Sequence, residues 1–207
     1  MERLDIFNVD RIKIGAMERA QVHEKGCWHQ TFHCWFAQII QDEIYLYIQK
    51  RQKGKDTFPE KFDITAAGHL MENEAPVDGI REIQEELGVE VEWDQLISLG
   101  VIANEIITAD FIDREFSHVY LYQSEHKLSD FKLQEEEVSG IYLVSLERLF
   151  ELLEDKRDQV DAEGIEIIGN EALEVKTVLT LTDFVPHQQH YYWEVLTRIK
   201  AKLSLLI

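Results

Sequence analysis

The stretch that most constrains this chain runs from Gly68 to Val89, GHLMENEAPVDGIREIQEELGV. Its second half puts Ile80, Ile83 and Leu87 along one side of a helix and Glu82, Glu85 and Glu86 at i, i+3 and i+4 along another. The spacing predicts a helix from Asp78 to Leu87, with Gly88 as its stop signal. The apolar side has to be anchored to a core. The acidic side has the opposite problem, because three carboxylates on one stripe repel each other and give no folding benefit alone. A solvated charged face is the ordinary reading of such a cluster. The other is a hard divalent cation, which favours clustered oxygen ligands and would relieve the repulsion. Arg81 is placed to pair with a neighbouring carboxylate and fix its rotamer.

Charge sharpens that choice. The 207 residues include 40 Asp and Glu against 21 Lys and Arg, a formal net charge of -19. Nucleic-acid binding needs a basic footprint, which this composition argues against. A phosphorylated small molecule would be repelled too, unless cations or a local basic cluster intervene. Arg51, Lys53, Lys55 and Lys61 form the one basic cluster near the acidic helix. Cys27 and Cys34 lack a CxxC spacing and read as reduced thiols. The start, MERLDIFNVDRIKIG, has no signal-peptide apolar core, and no run approaches the roughly 18 apolar residues of a membrane span. The expected location is the cytoplasm, with no membrane partner.

Along the chain, Thr31 to Ile40 and Ile44 to Gln49 flank a polar turn and read as a hairpin. Phe62 to Ala66 reads as a short strand entering the loop at Gly68, and Val89 to Val101 as an extended segment. Phe116 to Tyr122 and Val138 to Val144 are further strands, and Leu146 to Leu153 is an amphipathic helix behind a Ser145 cap. Tyr191 to Leu205 predicts a terminal helix, whereas residues 155 to 180 fit an insertion or partial helix equally. Strands, helix, strands, helix gives an α/β or α+β sandwich. The aromatic group Trp28, Phe32, Trp35 and Phe36 reads as core rather than a stacking platform.

The stretch from Gly68 to Val89 resembles the Nudix box, Gx5Ex7REUxEExGU with U aliphatic. Gly68 and Glu74 keep the expected spacing, and Arg81, Glu82, Ile83, Glu85, Glu86, Gly88 and Val89 match the second half in full. Six residues rather than seven separate Glu74 from Arg81, so the intervening loop is one residue shorter. The resemblance implies a single Nudix domain over residues 1–207, with a core of about 30–155 and a C-terminal helical extension over 156–207. It implies an α/β/α sandwich around a central mixed sheet. It also implies Mg2+ or Mn2+ held by Glu82, Glu85 and Glu86 with help from the Gly68 carbonyl. The metals would bridge phosphate oxygens and acidify the water that splits a diphosphate linkage. One of those glutamates, or a carboxylate from Glu135, Glu136 and Glu137 on a facing loop, would serve as base. The bland reading of that loop is an exposed charge run.

The segments HEKGCWHQTFHCWF and LYIQKRQKGKDTFPEKFDITAAGH are further similar to type I isopentenyl-diphosphate isomerases, over roughly residues 3 to 150. By that resemblance His69, and less closely His29 and His23, fall where the isomerases have metal-binding histidines. Glu115 falls on an active-site glutamate, Asp113 on a metal-binding one, and Arg51 and Lys55 on residues that grip the diphosphate. Ala67 stands where the isomerases carry a catalytic cysteine, and the intact REIQEELGV is unlike their degraded boxes. Both departures favour hydrolysis of a small-molecule diphosphate over isomerisation. A non-catalytic ligand-binding module is a third reading, opposed by the complete glutamate set. A homodimer is the ordinary expectation for a soluble enzyme of this size.

Overall fold

A computed structural model describes residues 2–108, 111–169 and 171–204. Strands β1 (Arg3–Phe7) and β2 (Lys13–Glu18) lead into helix α1 (Arg19–Lys25). Then come β3 (Trp28–Ile40), β4 (Glu43–Arg51), β5 (Phe62–Asp63), β6 (Ala66–His69) and α2 (Arg81–Leu87). The chain continues through β7 (Leu96–Ile107), β8 (Ile112–Gln123), β9 (Val138–Ser145), α3 (Leu146–Leu153), β10 (Val160–Ile168), β11 (Glu171–Leu179) and α4 (Gln189–Leu203).

The sheet is organised by β3. Its second half pairs with β4, its middle with β6, and almost its whole length runs parallel to β8. The path β11-β10-β9-β4-β3-β1-β2 is otherwise antiparallel. Period-two alternation along β3 separates two layers. Phe32, Cys34 and Phe36 pack with Ile83 and Leu87 of α2 on one face. Trp35 and Ala37 pack with α3 and α4 on the other. The result is the expected α/β/α sandwich.

The acidic helix is shorter than its periodicity predicts. Pro76–Ile80 forms a 3-10 turn, whose start is held by Asp78 accepting from the Ala75 N–H at 2.8 Å, and α2 proper begins at Arg81. Gly88 ends α2 at φ 65°, a left-handed geometry that suits glycine. Ser145 caps α3 by accepting from the Arg148 N–H at 3.4 Å.

The remaining differences have local causes. The strand expected over Val89–Val101 starts only at Leu96, because Trp93–Gln95 forms a 3-10 turn in which the Gln95 side chain accepts from the Glu92 N–H at 2.8 Å. The stretch 155–180 is largely the β10–β11 ribbon, which extends the sheet beyond β9. Among the described residues the extension is helical in α4 and in a single 3-10 turn at Leu181–Asp183, and Leu205, the predicted end of α4, lies outside them. No helix among the described residues is long and apolar enough to cross a membrane.

Candidate active site

Strand register brings a set of polar side chains to one end of β3, on the face that carries Trp35 further along. Thr31 lies opposite His69 in β6, and His29 opposite Glu115 in β8. Alternation then puts His29, Thr31 and His33 on the same face as Ala67, His69, Asp113, Glu115 and Ser117. Helix α1 adds His23 from above. Of these, His23, Thr31, His33, Ala67, His69, Asp113 and Glu115 floor a cavity of about 270 Å3, with His29 buried just beneath, and the walls include Arg19, Arg51, Lys55, Gly68, Glu82, Glu85 and Glu86.

The floor gathers side chains that could hold a metal ion. One ligand atom each from His23, His29 and His69 lies within 4.8 Å of the others, and the same holds for His29, Asp113 and Glu115. His29 Nδ1 is 3.1 Å from the Cys27 carbonyl, to which it donates, so Nε2 carries the free lone pair. Nε2 of His23, His29 and His69 and Oδ1 of Asp113 are all buried without a hydrogen-bond partner. Buried polar atoms are rarely left this way. The three imidazole nitrogens cluster together, and Asp113 Oδ1 stands 3.4 Å from that of His29 and 3.6 Å from that of His23, an arrangement that fits a cation. The His69 imidazole is pushed well below its usual pKa, chiefly by burial and then by the nearby His29 and Arg19, which keeps it neutral as a ligand must be.

The box glutamates form a separate wall. Arg81 clamps them: its Nη1 lies 2.6 Å from Glu82 and 3.1 Å from Glu85, and Nη2 donates to the His69 carbonyl at 3.1 Å. Glu74 accepts from Arg81 Nε at 3.3 Å and from the Met71 N–H at 2.8 Å, so despite the shortened loop it braces Arg81. Glu86 is buried, accepting from the Ala67 N–H at 3.1 Å and the Gln49 amide at 3.3 Å. Glu82 packs so closely on Gly68 that a Cβ there would overlap its carboxyl group. Burial pushes the Glu82 carboxyl up to about 7 and the Glu86 carboxyl, with Glu82 adding its charge, up to about 8. Two acids this reluctant to ionise fit a cation as well. Glu85 is half exposed and, among the described residues, the three glutamates do not converge as closely as the floor groups do.

The NUDIX domain family model matches residues 35–166. The chain belongs to the Nudix hydrolase family. An uncharacterized Nudix hydrolase of Clostridium acetobutylicum is 41% identical over 197 residues, covering 94% of this chain and 95% of the relative. An isopentenyl-diphosphate Delta-isomerase of Aliivibrio fischeri is 31% identical over 101 residues, covering 48% of this chain and 56% of that one. Among solved structures, a Deinococcus radiodurans protein superposes with a TM-score of 0.56 at 21% identity, over 75% of this chain and 89% of its own, a likeness of fold.

In this Nudix hydrolase the predicted cations Arg51 and Lys55 both line the cavity. Arg51 is held by Thr57, whose carbonyl accepts from Nη2 at 2.9 Å, and by Asp63, 3.2 Å from Nη1. Lys55 pairs with Glu137 of the facing loop, the member of that charge run which enters the cavity along with its neighbour Gln134. Lys61 instead caps the Thr182 carbonyl at 2.7 Å. Trp28, Phe32, Trp35 and Phe36 do not line the cavity; Trp28 stacks on Phe116 with centroids 4.5 Å apart.

Sequence reasoning missed Arg19, His33, Asp63 and His187, all cavity residues, whereas Tyr191, which the aromatic start of the terminal helix offered as a cleft cap or, more simply, as packing, is buried in the core behind them. Glu115 is kept ionised against its burial by His33, 3.5 Å away, whose Nδ1 is 2.7 Å from the Tyr191 hydroxyl. Trp35 Nε1–H donates to that hydroxyl at 3.3 Å. The assignment that satisfies every polar hydrogen has Tyr191 donating to His33 Nδ1 and His33 Nε2–H directed at Glu115. Position i+4 from His29 on a strand was the available signal for His33. Nothing local marks the others.

Proposed function

We propose that this Nudix hydrolase is a metal-dependent pyrophosphohydrolase that cleaves the diphosphate linkage of a nucleoside diphosphate derivative or a related small molecule. The observation that carries the reading is one cavity lined by the box glutamates, by Arg19, Arg51, Lys55 and Arg81, and by His23, His69 and Asp113, each with a buried ligand atom that makes no hydrogen bond. Glu82 and Glu86, with the Gly68 carbonyl beside them, are an all-oxygen set suited to Mg2+ or Mn2+. His23, His29 and His69 with Asp113 and Glu115 are a nitrogen-rich set suited to a transition metal. Bound cations of this kind polarise phosphoryl oxygens and lower the pKa of water. Arg51, Lys55 and Arg19 offset the diphosphate charge in a chain that is otherwise strongly acidic. Of the cavity carboxylates, Glu82 and Glu86, raised towards neutral pH, are better matched to accept a proton than Glu115, which, against its burial, His33 holds well below the usual carboxylate range.

Purified protein with Mg2+ or Mn2+ should release phosphate or a mononucleotide from a panel of nucleoside diphosphate, sugar-nucleotide and dinucleotide substrates. Glu86→Gln should lower that turnover by roughly 10²–10³-fold. Unaltered turnover would overturn the metal-ligand role of Glu86.

The histidine floor favours one second reading, isopentenyl-diphosphate isomerisation. Against it stands Ala67, which lines the cavity with no proton to give. Cys34 is buried on the opposite face of β3, where burial pushes its thiol far up, and Cys27 packs near Val22 and Leu4. Conversion of isopentenyl to dimethylallyl diphosphate by the purified protein would establish this alternative over the first.

A further inference from the structure

The loop between β11 and α4 reaches back under the cavity. The Val185 N–H donates to the Phe62 carbonyl at 2.9 Å, which ties the loop to β5 and brings His187 beside Asp63. His187 Nε2 lies 3.0 Å from Asp63 Oδ1, and its Nδ1 lies 2.9 Å from the Asn104 side-chain nitrogen. Asn104 Oδ1 accepts from the Gln188 N–H at 3.3 Å, so the amide presents its NH2 to the ring. His187 Nδ1 is thereby the acceptor and Nε2–H the donor to Asp63. The second Asp63 oxygen accepts from Arg51 Nη1 at 3.2 Å. A continuous chain of hydrogen bonds thus runs from Asn104 through His187 and Asp63 to Arg51. The side chains of His187 and Asp63 are only 6% and 7% exposed, and Asn104 is buried.

We propose that His187 is a positioning residue: acting through Asp63, it fixes the guanidinium of Arg51 in the orientation that receives a diphosphate. The proposal rests on the diphosphate reading above. Asp63 has two oxygens to satisfy. Oδ1 is shared between His187 and the Ile64 N–H, the latter 2.9 Å away, and Oδ2 is left for Arg51. Without the His187 donor, a buried carboxylate lacks one strong partner and draws on the nearest remaining one, the Arg51 fork. The guanidinium then turns towards Asp63 and away from the cavity. The C-terminal extension, on this view, sets the affinity of a grip whose own residues lie far earlier in the chain.

The probe is inorganic pyrophosphate with Mg2+, titrated calorimetrically into the full chain. His187→Ala should weaken pyrophosphate binding about tenfold, and His187→Gln, which keeps a donor near the Nε2 position, should recover most of that loss. In the substrate assay His187→Ala should raise KM by a similar factor with kcat nearly unchanged. In an Arg51→Ala background, His187→Ala should cause no further loss, because the effect passes through Arg51. Equal pyrophosphate affinity in wild type and His187→Ala, or full additivity with Arg51→Ala, overturns the positioning role. Should His187→Ala unfold, Asp63→Asn is measured instead, with the same tenfold weakening expected and unchanged affinity overturning the role. Failure of the wild-type protein to bind pyrophosphate at all instead overturns the diphosphate reading, and this proposal with it.

Discussion

The two groups proposed to hold metal, the glutamate wall and the histidine floor, are assembled by opposite routes. The glutamate wall is local: Glu82, Glu85 and Glu86 sit within two turns of α2, and Arg81, four residues from Glu85, already neutralises part of their charge. The histidine floor is assembled from α1, β3, β6 and β8, and the inward atoms of His23, His29, His69 and Asp113 make no hydrogen bond, with Asp113 Oδ1 standing 3.4 Å from His29. A local acidic cluster can be buffered by one arginine and survive without a cation, at the cost of raised carboxyl pKa values. A cluster gathered by sheet register has no such buffer. Its imidazole nitrogens lie close together with nothing else to bond to. The floor should therefore discriminate between metals more sharply, and the wall should respond more to pH.

The sharpest way to break that contrast is at the floor. His23→Gln keeps a half-buried polar side chain but removes one imidazole, and it should lower affinity for a transition metal by about 100-fold, more than a supporting residue would. Competition with a chelating dye measures it; unchanged affinity would mean the floor histidines are structural. The glutamate wall is tested next by Gly68→Ala. The atoms a Cβ would meet are the far end of a flexible side chain, so Glu82 should swing aside. Mg2+-dependent turnover should fall at least tenfold, since displacement of a reacting group by about 1 Å is costly, while stability on urea unfolding should change by less than about 1 kcal/mol. A large stability loss with normal specific activity would show Gly68 to serve packing alone.

The smallest expected effect is on pH. In the folded metal-free protein Glu82 and Glu86 hold protons up to about 7 and about 8, while unfolded glutamates release theirs near about 4.3. Across that interval the folded state binds more protons than the unfolded state, so stability falls as pH rises from 5 to 8. Saturating Mg2+ should flatten the trend in thermal melts, and the Glu82→Gln/Glu86→Gln double variant should lack it. A melting temperature that rises over this range would contradict the burial-driven shift.

The same contrast explains what could be read from the sequence. The box helix, the β3–β4 hairpin and the Ser145-capped α3 were legible because each depends on neighbours a few residues away. The β10–β11 ribbon was not. Ile165 is buried on the face that carries exposed Glu163, while Glu166 on the other face holds Lys50 at 2.7 Å, and these exceptions break the period of two. Helix α1 was missed because it is short, with Val22 its one buried residue. The floor was visible only in part, through resemblance, since nothing in the spacing of His23, His29 and His69 says they meet. His187 and Asp63 gave no signal at all, because their partnership depends on how a loop near the C-terminal helix crosses β5.

The alternation along β3 has a further consequence. A pairing error of one residue would turn every side chain of that strand over. His29, Thr31 and His33 would be driven beneath α2, and Phe32, Cys34 and Phe36 would face the cations of the cavity. A misregistered chain could then neither seal its core nor capture a metal at the floor. On the proposed metal-binding reading, the floor residues double as proofreaders of strand pairing, and metal capture would report that the central strand has been laid down in the right frame.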